Sequence, residues 1–211
     1  ISNPDAILLL DQISIEINII EHLILKLGTL TDPSIPIESY LHYVDSKDPE
    51  LFPLVLELVD STFSQNTAKL IIPLLDSDIN HIKIAKELLG DNALSKDEIL
   101  KVWVESSHSW KTNISLQFLL MTKNKQVIQK IRWNKLNKEL VDIKNFSNIE
   151  REYLDHIGYK NNFVNKEFND MYSVLEKTLL LKSVNLFKNI PGEVLSEIAQ
   201  ITEEVRKDIN E

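Results

Sequence analysis

The sequence predicts an all-α fold, a superhelical stack of helical hairpins followed by C-terminal adaptor helices. Three observations predict it. Apolar residues recur at helical spacing along nearly the whole chain. Residues that open and end helices bracket these stretches at short intervals. Three segments spaced by 30 residues share one pattern, which is the mark of stacked repeats.

The elements follow in order. Leu10, Ile13, Ile17, Ile20, Ile24 and Leu27 step by alternating threes and fours and form one continuous helical stripe. Pro4 suits the first helical position and Gly28 the residue just past the end. Ile13, Ile15, Ile17 and Ile19 also alternate with polar residues, a strand period. The longer stripe and the end signals favour the helix. A Pro-containing connector, 29–36, leads to a short helix ending near Val44. Asp48, Pro49 and Glu50 open the next helix as cap, first residue and first-turn acid. Pro53 is expected to kink that helix. A partner helix covers 66–76 and carries Pro73, and Asp78 starts another that stops at Gly90. Ser95 to Glu98 is a capping box. Helices are predicted over 109–121 and 124–140. Ser147 to Glu150 is a second capping box, and its helix ends at Gly158. A long helix over 166–182 and a last one from Pro191 complete the chain.

The repeat joins Leu54 to Val59, Ile84 to Leu89 and Ile114 to Leu119. Large apolar residues hold the first, fifth and sixth places. Val55, Ala85 and Ser115 hold the second, and Glu or Gln the fourth. Asp48 and Asp78 keep the same offset. One hairpin cannot bury its apolar face alone, so neighbours stack. An irregular helical bundle is the alternative; the shared small-residue place and the shared Asp favour the stack.

The unit from Asp48 to Asp60 resembles a HEAT-type repeat of the short, 30-residue kind, and Ser109 to Ile114 sits where such a repeat begins a helix. The resemblance covers about 48–140 well and 1–45 loosely. A second resemblance lies in Leu175 to Pro191, leading into Glu193 to Ala199. It resembles the helical lead-in of cyclic-nucleotide-binding domains, in which Val184, Leu186, Phe187 and Ile190 form an apolar turn that needs a covering surface. In that family the surface is a β-roll. The family's phosphate-binding turn has no counterpart in these 211 residues, so no ligand residue is carried over. Together the two resemble the soluble part of bacterial ATP/ADP-translocase-like transporters. That resemblance implies a membrane-bound parent protein and a location in the cytoplasm or on the cytoplasmic side of the inner membrane. The first residue, Ile1, is not Met, and the expectation is a segment of a longer protein. The expected division is a HEAT-like repeat domain over 1–158 and a truncated adaptor over 159–211.

Composition narrows the function. Cysteine is absent, so thiol catalysis and Cys-ligated metals are excluded. The 4 glycines form no phosphate-cradling loop. The net charge of -9 argues against nucleic acid as main partner. The longest unbroken apolar run, Ala6 to Leu10, is far short of the roughly 20 residues a membrane span needs.

Candidate chemistry is sparse. His22, His42, His81, His108 and His156 show no metal-binding spacing. His156 fits a last helical turn, where a cation meets the dipole, and His108 a cap region. Asp76 and Asp78 flank a turn. Glu203 and Glu204 read as a solvated helix face with Glu197, Arg206 and Lys207. The distinctive charge feature is the basic run Lys123, Lys125, Lys130, Arg132, Lys135 and Lys138, free of acids, with Trp133 among them. On one helix Lys123, Lys130 and Lys138 share a broad side, a candidate ridge for an acidic or phosphorylated partner or anionic headgroups. A solvated face is the plainer reading. Trp103, Trp110 and Trp133 read as packing residues. The expectation is a non-enzymatic scaffold or linker with no cofactor and no catalytic or metal residue, binding protein or neighbouring domains of its own polypeptide. The alternative is a helical enzyme domain acting on nucleotide or DNA.

Overall fold

A computed structural model describes residues 6–30, 37–46, 48, 50–76, 81–133, 136, 141, 146–156 and 172–205. All regular structure among them is helical, with no strand. The helices are α1 (Ile7–Thr29), α2 (Ile37–Ser46), α3 (Phe52–Thr62), α4 (Gln65–Leu75), α5 (His81–Leu89), α6 (Lys96–Val104), α7 (Ser109–Met121), α8 (Lys125–Lys130), α9 (Asn148–His156), α10 (Val174–Ser183) and α11 (Gly192–Ile201). The chain divides into two compact units. The N-terminal unit is Ser14–Ala93; the C-terminal unit joins Ile1–Ile13 to Leu94–Glu211. The expected boundary at 158 falls among residues outside the described ones, as do Pro4, Pro49, Asp78 and Gly158.

The N-terminal unit packs α1 residues from 14 onward with α2 to α5. Its core gathers Leu25, Tyr40, Val44, Val55, Val59, Phe63, Ala68, Ile71 and Leu75. Tyr40 meets Phe63 edge to face at 6.0 Å, and its hydroxyl lies 2.6 Å from Thr62 Oγ1. Three sequence expectations are corrected here. Gly28 lies inside α1, one residue before its end. A Cβ there would run into the Phe63 ring, so glycine serves close packing and not a helix stop. Asp48 opens a turn by accepting Glu50 N at 2.9 Å, and α3 starts only at Phe52. Pro53 therefore falls in the first turn of α3, where its missing N–H costs nothing, and it does not kink the helix.

The outer face of α1 is a separate finding. Segment 13–19 is helical, so the helix reading holds. A stripe like Leu10 to Leu27 normally faces a core. Here Leu10, Ile17, Ile20 and Leu27 are half exposed or more. The buried α1 residues are Leu8, Leu9, Gln12, Leu25 and Gly28.

The C-terminal unit is organised around α7, whose bounds match the predicted ones. Nine of its residues are buried, including Thr112, Asn113, Ser115 and Gln117, and it packs against α6, α8 and α9. The unit's core joins Leu8 and Leu9 of α1 to Leu100, Val104, Trp110, Ile114, Leu119, Ile128, Phe146, Leu154 and Leu175. Both predicted capping boxes form. Glu98 N bonds to Ser95 Oγ and Ser95 N to Glu98 Oε2. Glu150 N bonds to Ser147 Oγ and Ser147 N to Glu150 Oε2. A third box, Ser173 with Glu176, opens α10 at Val174; residues 166–171 of the expected helix lie outside the described ones. Helix α10 packs closely on α11.

The 30-residue alignment does not translate into equal environments. Its three segments all lie in helices, α3, α5 and α7. Yet Leu54 is half exposed and Ile114 buried, and Leu89 is exposed where Val59 and Leu119 are buried.

Candidate functional site

The basic run comes first, because the sequence singles it out. The predicted helix over 124–140 stops at Lys130. Ile131 turns extended, Trp133 Nε1 donates to Ile128 O at 3.2 Å, and Arg132 N donates to Glu105 Oε1 at 2.9 Å. These bonds draw the backbone out of the helix. Lys123 sits before α8 with φ at +50°. It ends α7 in the left-handed conformation more often taken by glycine. Lys123 and Lys130 therefore share no helix face. Lys135 and Lys138 lie outside the described residues.

Two cations of the run, Arg132 and Lys130, meet acids of α6 and its C-terminal cap. Arg132 Nε donates to Glu105 Oε2 at 2.9 Å, and Arg132 Nη2 joins the same oxygen. This fork holds the Glu105 carboxyl below its ordinary range and raises the guanidinium further. Lys101 also reaches Glu105, at 3.9 Å. Asn124 Nδ2 donates to Asp97 Oδ1 at 3.3 Å. Glu98 is held low mainly by its bonds to Ser95, with smaller help from Lys130 and Lys101. The acids of α6 thus face the cations around α8, an arrangement the one-dimensional charge count could not reveal.

A second polar cluster ties α1 to the C-terminal hairpin within the same unit. Asp11 Oδ1 accepts Lys182 Nζ at 2.8 Å, and its Oδ2 accepts Gly192 N at 2.8 Å. The carboxylate therefore caps α11 from another helix. Lys182 Nζ also donates to Ile190 O at 2.6 Å, fixing the turn between α10 and α11. Next to this, Trp110 Nε1 donates to Gln12 Oε1 at 3.0 Å. Lys177, nearly buried, donates to Thr202 O at 3.3 Å and lies 3.5 Å from Glu204. These groups satisfy one another and fix helix positions.

The other candidate residues read as structural. His22 Nδ1 lies 2.8 Å from Asn18 O and its Nε2 lies 3.1 Å from Asp45. His108 is the N-cap residue of α7 and makes no side-chain cap bond. His156 ends α9. Asp76 caps the end of α4. Glu203 and Glu204 lie beyond the end of α11, not on its face, and Glu204 Oε1 accepts Tyr172 N at 2.9 Å. Among the described residues no group of acidic or histidine side chains is placed to hold a metal ion.

The feature that sequence reasoning missed is the N-terminal unit's surface. On α1, Ile17, Ile20, Leu23 and Leu27 are 50%, 52%, 52% and 62% exposed. On α3, Leu54 and Leu58 point outward beside exposed Glu57 and Asp60. The unit also concentrates charge. Ser14–Ala93 holds 13 acidic against 5 basic residues, a net of -8, whereas the C-terminal unit holds 19 against 18. A signal was available for the first point, since Ile15, Ile19 and Leu23 make α1 apolar on more than one side. The second needed the unit boundary.

No described helix is long and apolar enough to cross a membrane. Compared with family models, curated proteins and solved structures, the chain matches none.

Proposed function

We propose that this chain is a non-enzymatic scaffold or linker of stacked, HEAT-like helical hairpins that docks other proteins or neighbouring domains. The observation that carries the reading is the outward aliphatic stripe Ile17, Ile20, Leu23 and Leu27 of α1. Contiguous exposed apolar surface of this kind marks interaction sites. The packing of sequence neighbours α3 with α4, α6 with α7 and α10 with α11 supports the hairpin part of the reading.

The test has two arms. Binding partners recovered from the source cells are purified and re-bound to the isolated chain. Substitution of Leu23 and Leu27 by Gln is expected to weaken that binding about tenfold or more while leaving the melting temperature unchanged. In the second arm, melting is followed with nucleotides, cyclic nucleotides and divalent metals. A ligand at 100-fold excess over its Kd would stabilise by about 2.7 kcal/mol. Such a shift, or binding indifferent to the α1 stripe, overturns the reading.

A further inference from the structure

The N-terminal unit combines two properties that together select a partner. The first is a stripe. Ile17, Ile20, Leu23 and Leu27 follow one another by three, three and four residues on a single helix. At about 1.5 Å per residue they cover roughly 15 Å, three helical turns, which is the footprint of an amphipathic helix read through i, i+3 or i+4 and i+7 anchors. Each side chain is at least half exposed. The second property is the charge of the unit that carries the stripe. The unit's net charge is -8. Glu16 and Glu21 lie on the same helix, and Glu50, Glu57 and Asp60 are exposed on or next to α3.

From this combination we propose that the α1 stripe docks a cationic amphipathic helix of a partner protein. The inference rests on the docking reading above and gives the partner its chemistry. Aliphatic anchors from the partner would cover the stripe, and Lys or Arg on its flanks would be drawn by the unit's net negative charge. The same field turns other occupants away. Anionic lipid surfaces and nucleic acid carry the unit's own sign. A second copy would bring another net charge of -8 against the first, so self-association through this unit works against its own potential.

The full chain is titrated by calorimetry with three synthetic peptides of about 18 residues. One places Leu on one face and Lys on the others. The second replaces every Lys by Glu. The third scrambles the first so that it has no apolar face. Only the first is expected to bind, and its affinity is expected to drop about tenfold or more between about 50 and about 300 mM NaCl. Leu23→Gln with Leu27→Gln removes the anchors, and Ile20→Lys adds a repelling cation. Both variants change exposed positions and should fold normally, and both are expected to abolish the binding. Equal binding of the Glu peptide overturns the cationic partner and leaves the docking reading standing. Equal binding of the scrambled peptide, or binding indifferent to both variants, overturns the stripe as the site. Binding by neither helical peptide overturns the inference, and the docking reading is then judged by its own re-binding test.

Discussion

Trp110 Nε1 donates to Gln12 Oε1 at 3.0 Å, across 98 positions of sequence, and the bond is buried. It joins the first turns of α1 to the first turn of α7. Replacing Gln12 by Leu removes the acceptor and leaves a buried indole N–H without it, at a cost of about 1–3 kcal/mol. Urea unfolding followed by circular dichroism measures this. Gln12→Glu keeps an acceptor but buries a carboxylate, and is expected to lose at least as much at neutral pH and less in acid.

Gly192 sits where a Cβ would come 3.0 Å from Trp110 Cζ2 and 3.3 Å from both Asp11 Oδ2 and Leu8 Cδ2. The indole and Leu8 belong to the core, so none of these neighbours yields freely. Gly192→Ala is expected to destabilise the C-terminal unit by about 1–3 kcal/mol. Hydrogen exchange should show faster opening of α10 and α11. A variant that exchanges like the parent would show that the neighbours relax.

Glu150 is raised above the ordinary carboxyl range, chiefly by burial, with repulsion from Glu176 adding to it and the Ser147 bonds opposing it. A group raised in the folded state binds its proton more tightly there than in the unfolded chain. It therefore favours folding at low pH, and that contribution is lost as pH rises through its folded value. Glu150→Gln keeps a capping-box acceptor. It is expected to stabilise the chain at neutral pH and to lose this advantage near pH 4, as read from urea midpoints at both pH values.

Glu105 moves the other way, held low by its bonds to Arg132. A lowered carboxyl stabilises above its unfolded value, and that stabilisation fades as pH falls toward its folded value. Glu105→Gln is expected to destabilise at neutral pH, and the gap to the parent should close in acid. A gap that stays constant from pH 7 to pH 3 would show that shape and not charge carries the contact.

Ser115 Oγ is buried without a hydrogen-bond partner. An unsatisfied buried hydroxyl carries a desolvation cost of about 1–3 kcal/mol. Ser115→Ala is expected to be neutral or to raise the midpoint of thermal unfolding. A clear loss of stability would point to a water or a neighbouring group held by that oxygen.

Local chemistry was the legible part of the sequence. The capping boxes at Ser95 and Ser147 and the bounds of α7 are written in neighbouring residues, and each was read from them. Features set by distant residues were not legible. The end of α8 depends on Glu105, 27 positions away from Arg132. Gly28 answers to Phe63, not to a helix terminus. The α1 stripe has core spacing, and only the packing of Leu25 and Gly28 against the unit shows which side faces inward. The acids that meet Arg132 and Lys130 lie on and just after α6, far from them in sequence.

Trp103, Trp110 and Trp133 all belong to the C-terminal unit, and Ser14–Ala93 contains no tryptophan. The chain therefore carries a built-in optical reporter for one unit alone. Indole emission follows the surroundings of α6, α7 and the segment after α8. It is silent on α2 to α5, where tyrosine supplies the near-ultraviolet signal. A denaturation curve recorded by tryptophan emission and one recorded by helical ellipticity should coincide only if both units melt together. Any gap between the two curves measures the difference in their stabilities without a single label.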